Sequence, residues 1–214
     1  MASKGKLLWL CSLAVWSSST VQDETLAPHC SSQAHNLSAA LTVAAECGEH
    51  LPWSAEQTAA LLLSIRNLNN NLHKHQLNDC QGAEPTRCPE AEVPANGGLA
   101  CVTVSNKRYC KPLCNYGYDF GFLRVSRLYD ECSEQTGFKW DSQYVGGNKL
   151  AVCNEASIQV SGAKTAYFPK DQDCLTTKSS HQLWNSTIDI LTTELKNKGV
   201  HGEPQHACLV CGRP

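Results

Sequence analysis

The chain has 214 residues, 13 of them Cys, with 18 Lys plus Arg set against 20 Asp plus Glu. Apolar residues make up 42 % and charged residues 18 %, enough for a packed core and too little charge for wholesale disorder. The near-neutral balance lacks the basic excess of a nucleic-acid binder, and no apolar run reaches the roughly 18 residues of a membrane-spanning helix. So many Cys without metal-type spacing read as a disulfide framework formed in an oxidising compartment.

Residues 1–20 have the order of a secretory signal peptide: Lys4 and Lys6, then an apolar run from Leu7 to Val15, then Ser17 to Thr20. Cleavage near Thr20 removes Cys11, so the 13 Cys become an even 12. Asn36-Leu-Ser38 and Asn185-Ser-Thr187 match the N-glycosylation pattern and fit secretion. The carboxy terminus carries no hydrophobic anchor signal. The expected product is a secreted, extracellular glycoprotein.

Residues 21–80 read as helical. Leu37, Leu41, Ala44 and Ala45 recur at three- and four-residue steps, with Cys30 and Cys47 near the ends. A second helix starts at Ser54, where Gln57 completes a capping box, and it carries Leu61, Ile65, Leu68 and Leu72 on one face. A two-helix hairpin is expected, because one amphipathic helix cannot bury its own stripe.

Residues 81–173 change character. Pro85, Pro89, Pro94, Gly97 and Gly98 open the segment, and short β-favouring runs follow at 100–104, 116–122, 150–152 and 158–160. Six Cys fall inside it, at 88, 101, 110, 114, 132 and 153. A core this small needs staples. Cys101 and Cys110 are placed to close a hairpin. Tyr116, Tyr118, Phe120 and Phe122 alternate, which puts them on one strand face, the core face on the simplest reading. Lys107, Arg108, Arg124 and Arg127 form a candidate positive rim.

Residues 174–214 return to helix, with Trp184, Ile188, Leu191 and Leu195 at steps of 4, 3 and 4 and Gly199 as the stop. This helix is expected to pack on the amino-terminal hairpin. The remaining Cys are Cys30, Cys47 and Cys80 on one side, and Cys174, Cys208 and Cys211 on the other. The expected fold is α+β, a small disulfide-rich β module inserted between disulfide-linked amphipathic helices.

Cys88-Pro89, Pro94-Ala-Asn-Gly97, Cys114-Asn-Tyr-Gly-Tyr118, Gly121, then Cys132 followed by Gly137-Phe-Lys-Trp140, and Cys153 stand in one order along the central segment. In that order the segment resembles a sushi (complement control protein) module. That family pairs four Cys first to third and second to fourth around a small β-sandwich. The resemblance implies Cys88–Cys132 and Cys114–Cys153, with Trp140 in the core. It also implies protein–protein recognition as the kind of activity. The longer stretch between Cys132 and Cys153 and the extra pair Cys101 and Cys110 depart from the pattern, and no second copy follows. With those pairs set, the six flanking Cys still allow about 15 connectivities.

Catalytic patterns do not emerge. Cys208-Leu-Val-Cys211 has dithiol spacing but lacks a following helix, so two structural half-cystines are the plainer reading. His73, His75, His201 and His206 do not form a four-ligand zinc set, and solvated His is expected. No Gly-x-Ser-x-Gly elbow occurs, and no carboxylate spacing supports glycoside hydrolysis. With all twelve mature Cys paired, no nucleophilic thiol remains. The expectation is a non-enzymatic protein without cofactor or metal, binding an extracellular protein or glycan. Two alternatives stand beside it: a small secreted receptor ligand whose helical unit is the active part, and a secreted hydrolase or inhibitor without a recognisable motif.

Overall fold

A computed structural model describes residues 28–48, 52–144 and 147–213. The signal-peptide reading of residues 1–20 therefore lies outside the described residues. The described chain falls into two units, divided between Gln57 and Thr58. In the first, α1 spans Pro28–Cys47. The second helix, α2 (Ala55–Leu77), begins at the expected capping box: Ser54 Oγ accepts from the Gln57 N–H at 3.1 Å, and the Ser54 N–H donates to Gln57 Oε1 at 3.0 Å.

The second unit is built on a four-stranded antiparallel sheet of order β4-β2-β1-β6, made from β1 (Gly97–Val104), β2 (Lys107–Cys114), β4 (Asp130–Cys132) and β6 (Gln205–Cys211). A small two-stranded sheet joins β3 (Tyr118–Phe120) to β5 (Cys153–Glu155). β1 and β2 form a hairpin whose two-residue turn, Ser105-Asn106, has φ of 50° and 57° at its two positions. Such primed turns match the right-handed twist of the strands they join. The expected strand at 100–104 is the last five residues of β1, which starts three residues earlier. The runs at 150–152 and 158–160 are not strands; β5 starts one residue after the first of them.

β1 is buried along its whole length, because both faces of the sheet are covered. On one face Ala100, Val102, Val104, Tyr109, Leu113 and Leu209 meet α4 (His181–Asn197) through Ile188, Leu191 and Leu195. On the other, Leu99, Cys101, Cys110, Cys208 and Val210 pack with Cys132, Trp140 and Leu150. Fully burying side chains of this size stabilises the fold by about 1.5–3 kcal/mol each.

Three expectations about the flanks need correction. The apolar stripe of α4 docks on the sheet, where Ile188, Leu191 and Leu195 are buried, and not on α2, which has no buried residue. The β module is also not a closed insertion between helices: β6, from beyond residue 173, lies beside β1 with Cys208 opposite Cys101. The α2 stripe is likewise not a buried one. Leu61, Ile65 and Leu72 are 39 %, 44 % and 57 % exposed, and α2 has no buried residue.

Local signals end α4 as its sequence suggests. Ser180 Oγ accepts from the Leu183 N–H, and Gly199, at φ +82°, lets the Val200 N–H reach back to the Leu195 carbonyl. Gly98 is needed for a different reason: a Cβ there would sit 2.4 Å from Cys174 Sγ. That close approach lets the Cys174–Cys211 bridge lie on β1.

Candidate functional site

Five disulfides staple the second unit: Cys80–Cys208, Cys88–Cys132, Cys101–Cys110, Cys114–Cys153 and Cys174–Cys211. Three lie within the central segment and include the two pairs that the resemblance implies. Cys101 and Cys110 sit directly opposite each other in the β1–β2 register, 4.1 Å apart at Cα. Trp140 is buried beside them and donates its indole N–H to the Pro89 carbonyl at 2.8 Å. Cys208 and Cys211 belong to different bridges, so they are half-cystines and not a dithiol.

The expected pairing of all twelve Cys needs one correction. Cys47 carries a free, exposed thiol. Cys30, whose side chain lies outside the described residues, shares α1 with it; seventeen residues of helix separate them by about 25 Å, far beyond the Cα spacing of a disulfide.

The positive rim is also corrected. Arg124 is 3 % exposed; its guanidinium donates to Asp130 Oδ2 at 2.8 Å and to the Leu150 carbonyl at 3.0 Å. Arg127 reaches the other oxygen of Asp130 at 2.6 Å. Burial pushes the Asp130 carboxyl up, and the two guanidiniums oppose that push. Arg108 is buried too, with its Nη1 on the His206 carbonyl. A bulge in β6 frees that carbonyl from the ladder: two residues, His206 and Ala207, oppose the single Val102. Lys111 is fully buried and ion-paired to Glu194 of α4 at 2.6 Å. Lys107 and Arg127 stay near the surface and both are ion-paired there, Lys107 3.5 Å from Glu131 and Arg127 3.1 Å from Asp141.

The aromatic series divides in the same way. Phe120 is buried, Tyr118 half-buried, and Tyr116 and Phe122 are exposed, since β3 spans only three residues. Asn185 lies on α4, where its side chain contacts His181 Nδ1 at 3.0 Å. Asn36 lies on α1, and its side chain is outside the described residues. One cluster of metal-type ligands occurs among the described residues, Cys80, Cys101 and Cys208. All three sulfurs are in disulfides, which offer no thiolate to an ion.

Two loops missed by motif reading form the most distinctive surface. The first carries Phe122, Leu123 and Val125, which are 53 %, 72 % and 51 % exposed; the second carries Ile158 and Val160, 67 % and 65 % exposed. They lie side by side, with the Arg124 N–H donating to the Ser161 carbonyl. Asp119 latches the second loop. Its carboxylate accepts from the Val160 and Ser161 N–H groups at 3.2 and 3.1 Å, from Ser161 Oγ at 2.7 Å and from the Tyr167 hydroxyl. Burial would raise the Asp119 carboxyl, but these donors hold it below its ordinary value. Burial, and then the contact with Asp119, push the Tyr167 hydroxyl up to about 12.

Arg124 locks the first loop from beneath. The outcome is an apolar rim on a rigid base. The signal in the sequence was the pair of apolar residues in turn-rich stretches, which strand reading absorbed.

The fold and this surface define a disulfide-rich α+β protein, and among the described residues no helix is long and apolar enough to cross a membrane. No protein-family model, curated protein or solved structure matches the chain.

Proposed function

We propose that this is a secreted glycoprotein that acts by binding an extracellular protein, without catalysis, through the apolar rim of its central, sushi-like module. The observation that carries this reading is the exposure of Phe122, Leu123, Val125, Ile158 and Val160 on two latched loops. Exposed apolar groups of this size mark interaction surfaces, and loops held in place lose little entropy on binding. Five disulfides support an oxidising destination. The joined pairs Cys88–Cys132 and Cys114–Cys153 and the buried Trp140 support the sushi-like reading. Of protein and glycan, the aliphatic rim favours protein.

The test is binding of labelled protein to intact cells. The variant L123D/V160D places two charges on the rim and should weaken saturable binding at least tenfold while leaving thermal unfolding unchanged. Protease treatment of the cells should abolish binding, and glycosidase treatment should not. A second reading makes the helical unit a receptor ligand, favoured by the exposure of Leu62 and Leu63 on α2, 59 % and 55 %. Loss of binding in L62D/L63D, with L123D/V160D unaffected, would select it.

A further inference from the structure

Three sulfur-bearing strands lie in register on one sheet face. Cys101 of β1 faces Cys110 of β2 on one side and Cys208 of β6 on the other. Cys101 is bonded to Cys110, and Cys208 is bonded to Cys80, which closes a 3-10 turn three residues past α2. The sulfurs of Cys80, Cys101 and Cys208 all lie within 4.8 Å of one another. Directly opposed residues of adjacent strands fall in the Cα range that a disulfide accepts, so Cys101 has two permissible partners.

A cation sits at this junction. Arg108 is 5 % exposed, and its Nη2 lies 3.0 Å from Cys208 Sγ. Its other contacts are a carbonyl, that of His206, and the Thr103 hydroxyl; among the described ion pairs it has no carboxylate. An unpaired buried charge is costly, and burial pulls the guanidinium down to about 10. A thiolate released on Cys208 would lie within hydrogen-bond reach of this charge. A cavity of about 240 Å³ leads to the site, lined by Cys80, Cys101, Cys110, Arg108 and Trp140, with Cys208 behind it.

We propose that this cavity is a thiol-exchange site, where a small alkyl thiol modifies Cys80 and sets off a relay across the sheet. The thiolate attacks Cys80 Sγ, the half-buried sulfur that lines the cavity. A new S–S bond forms to Cys80, the Cys80–Cys208 bond breaks, and the electron pair leaves on Cys208 Sγ, where the Arg108 guanidinium stabilises it. The Cys208 thiolate then attacks Cys101 Sγ. The Cys101–Cys208 bond forms, the Cys101–Cys110 bond breaks, and Cys110 leaves as a thiolate that takes the proton released by the incoming thiol. The number of disulfides inside the protein falls by one, the thiol is retained on Cys80, and no external oxidant is required. The switch removes the covalent link between the segment that ends α2 and β6, leaving the two hydrogen bonds of Gln76 to the Cys211 backbone, and keeps β1 and β6 cross-linked.

The experiment treats the full chain with 2-mercaptoethanol at a concentration that leaves most bridges intact, quenches with iodoacetamide and maps the peptides without reduction. Cys47, already free, labels in every sample and serves as the reference. The expected products are a mercaptoethanol adduct on Cys80, carbamidomethylated Cys110 and a new Cys101–Cys208 cross-link. Arg108→Gln should slow adduct formation about tenfold, because leaving-group basicity controls the rate, and Arg108→Lys should restore most of it. A second variant, C101S/C110S, removes the acceptor bridge, so the alkylated thiol should move to Cys208. Earlier opening of Cys88–Cys132, Cys114–Cys153 or Cys174–Cys211 would overturn the proposal. So would alkylation of Cys208 in the unaltered chain without the Cys101–Cys208 cross-link.

Discussion

Lys111 and Glu194 hold the sheet to its covering helix by an ion pair whose two halves should respond differently to removal. The Lys111 ammonium is fully buried and has two partners, Glu194 Oε2 at 2.6 Å and Thr165 Oγ1 at 3.2 Å. The Glu194 side chain is 12 % exposed and also accepts from Thr165 at 2.6 Å. Glu194→Gln keeps the shape and leaves a buried cation with neutral acceptors only. Breaking a buried pair in this way costs about 3–5 kcal/mol, and the partial exposure of Glu194 puts the expected loss near the lower end, about 3 kcal/mol. With a urea m-value of about 2 kcal/mol/M, the midpoint should fall by about 1.5 M. Lys111→Met removes the buried charge instead and leaves a carboxylate that water can reach, so its cost should stay below about 1.5 kcal/mol.

The pH dependence gives a second check on the same pair. Burial lowers the Lys111 ammonium below its ordinary value, and Glu194 offsets part of that shift. Between the lowered folded value and the unfolded value of about 10.4, the unfolded chain holds more protons, so stability rises with pH. Without Glu194 the folded value drops further and this window widens. The Glu194→Gln penalty should therefore be largest near pH 7 and shrink as pH approaches about 10. Urea unfolding of the disulfide-intact protein at both pH values measures it. A penalty under about 1 kcal/mol at pH 7, or one that does not change with pH, would refute the reasoning.

Asp119→Asn should loosen the second rim loop, read as faster hydrogen exchange at the Val160 and Ser161 amides. The Asp119 carboxyl is held below its unfolded value, so the latch contributes fully above about pH 4 and is lost as pH falls through the folded value. The variant should accordingly show a flatter acid limb of stability. Leu191→Ala, at a fully buried position between α4 and the sheet, should cost about 2–5 kcal/mol in denaturant unfolding. Iodoacetamide applied to the native protein should label Cys47 and spare the ten Cys of the five bridges, as counted by intact mass and peptide mapping.

Where a signal is local, the sequence was readable. The α2 capping box, the α4 stripe with its Ser180 start and Gly199 stop, and the β1 apolar run each depend on neighbours within a few residues. The disulfide-rich α+β character followed from the Cys count and from the change in periodicity at residue 81. β2 was hidden by its own composition, since Lys107, Arg108, Lys111 and Pro112 argue against a strand. Arg108 and Lys111 are strand residues whose heads end in buried contacts made by distant segments, at His206, Cys208 and Glu194. Pro112 is tolerated because β4 pairs only with residues 108–110, so the missing N–H faces no partner strand there. β6 was illegible for a related reason: its partner β1 is about a hundred residues earlier, and nothing local encodes that pairing. The rim loops were visible as apolar residues, but only the Asp119 latch, which accepts from the Val160 and Ser161 N–H groups 41 and 42 residues away, shows that the second loop is held outward.

The position of β6 has a consequence for biosynthesis. The β1–β2 hairpin can close as soon as residue 114 is made, yet the other edge of β1 has no neighbour until residues 205–211 appear. In the interval the chain presents an apolar strand with unsatisfied backbone groups, the arrangement most prone to pairing with another chain. Cys80 waits across a sequence separation of 128 for Cys208, while Cys101 and Cys110 need only 9. Early oxidation therefore favours the hairpin bridge and leaves Cys80 unpaired, so folding yield should depend on how long the nascent chain is shielded before its last strand arrives.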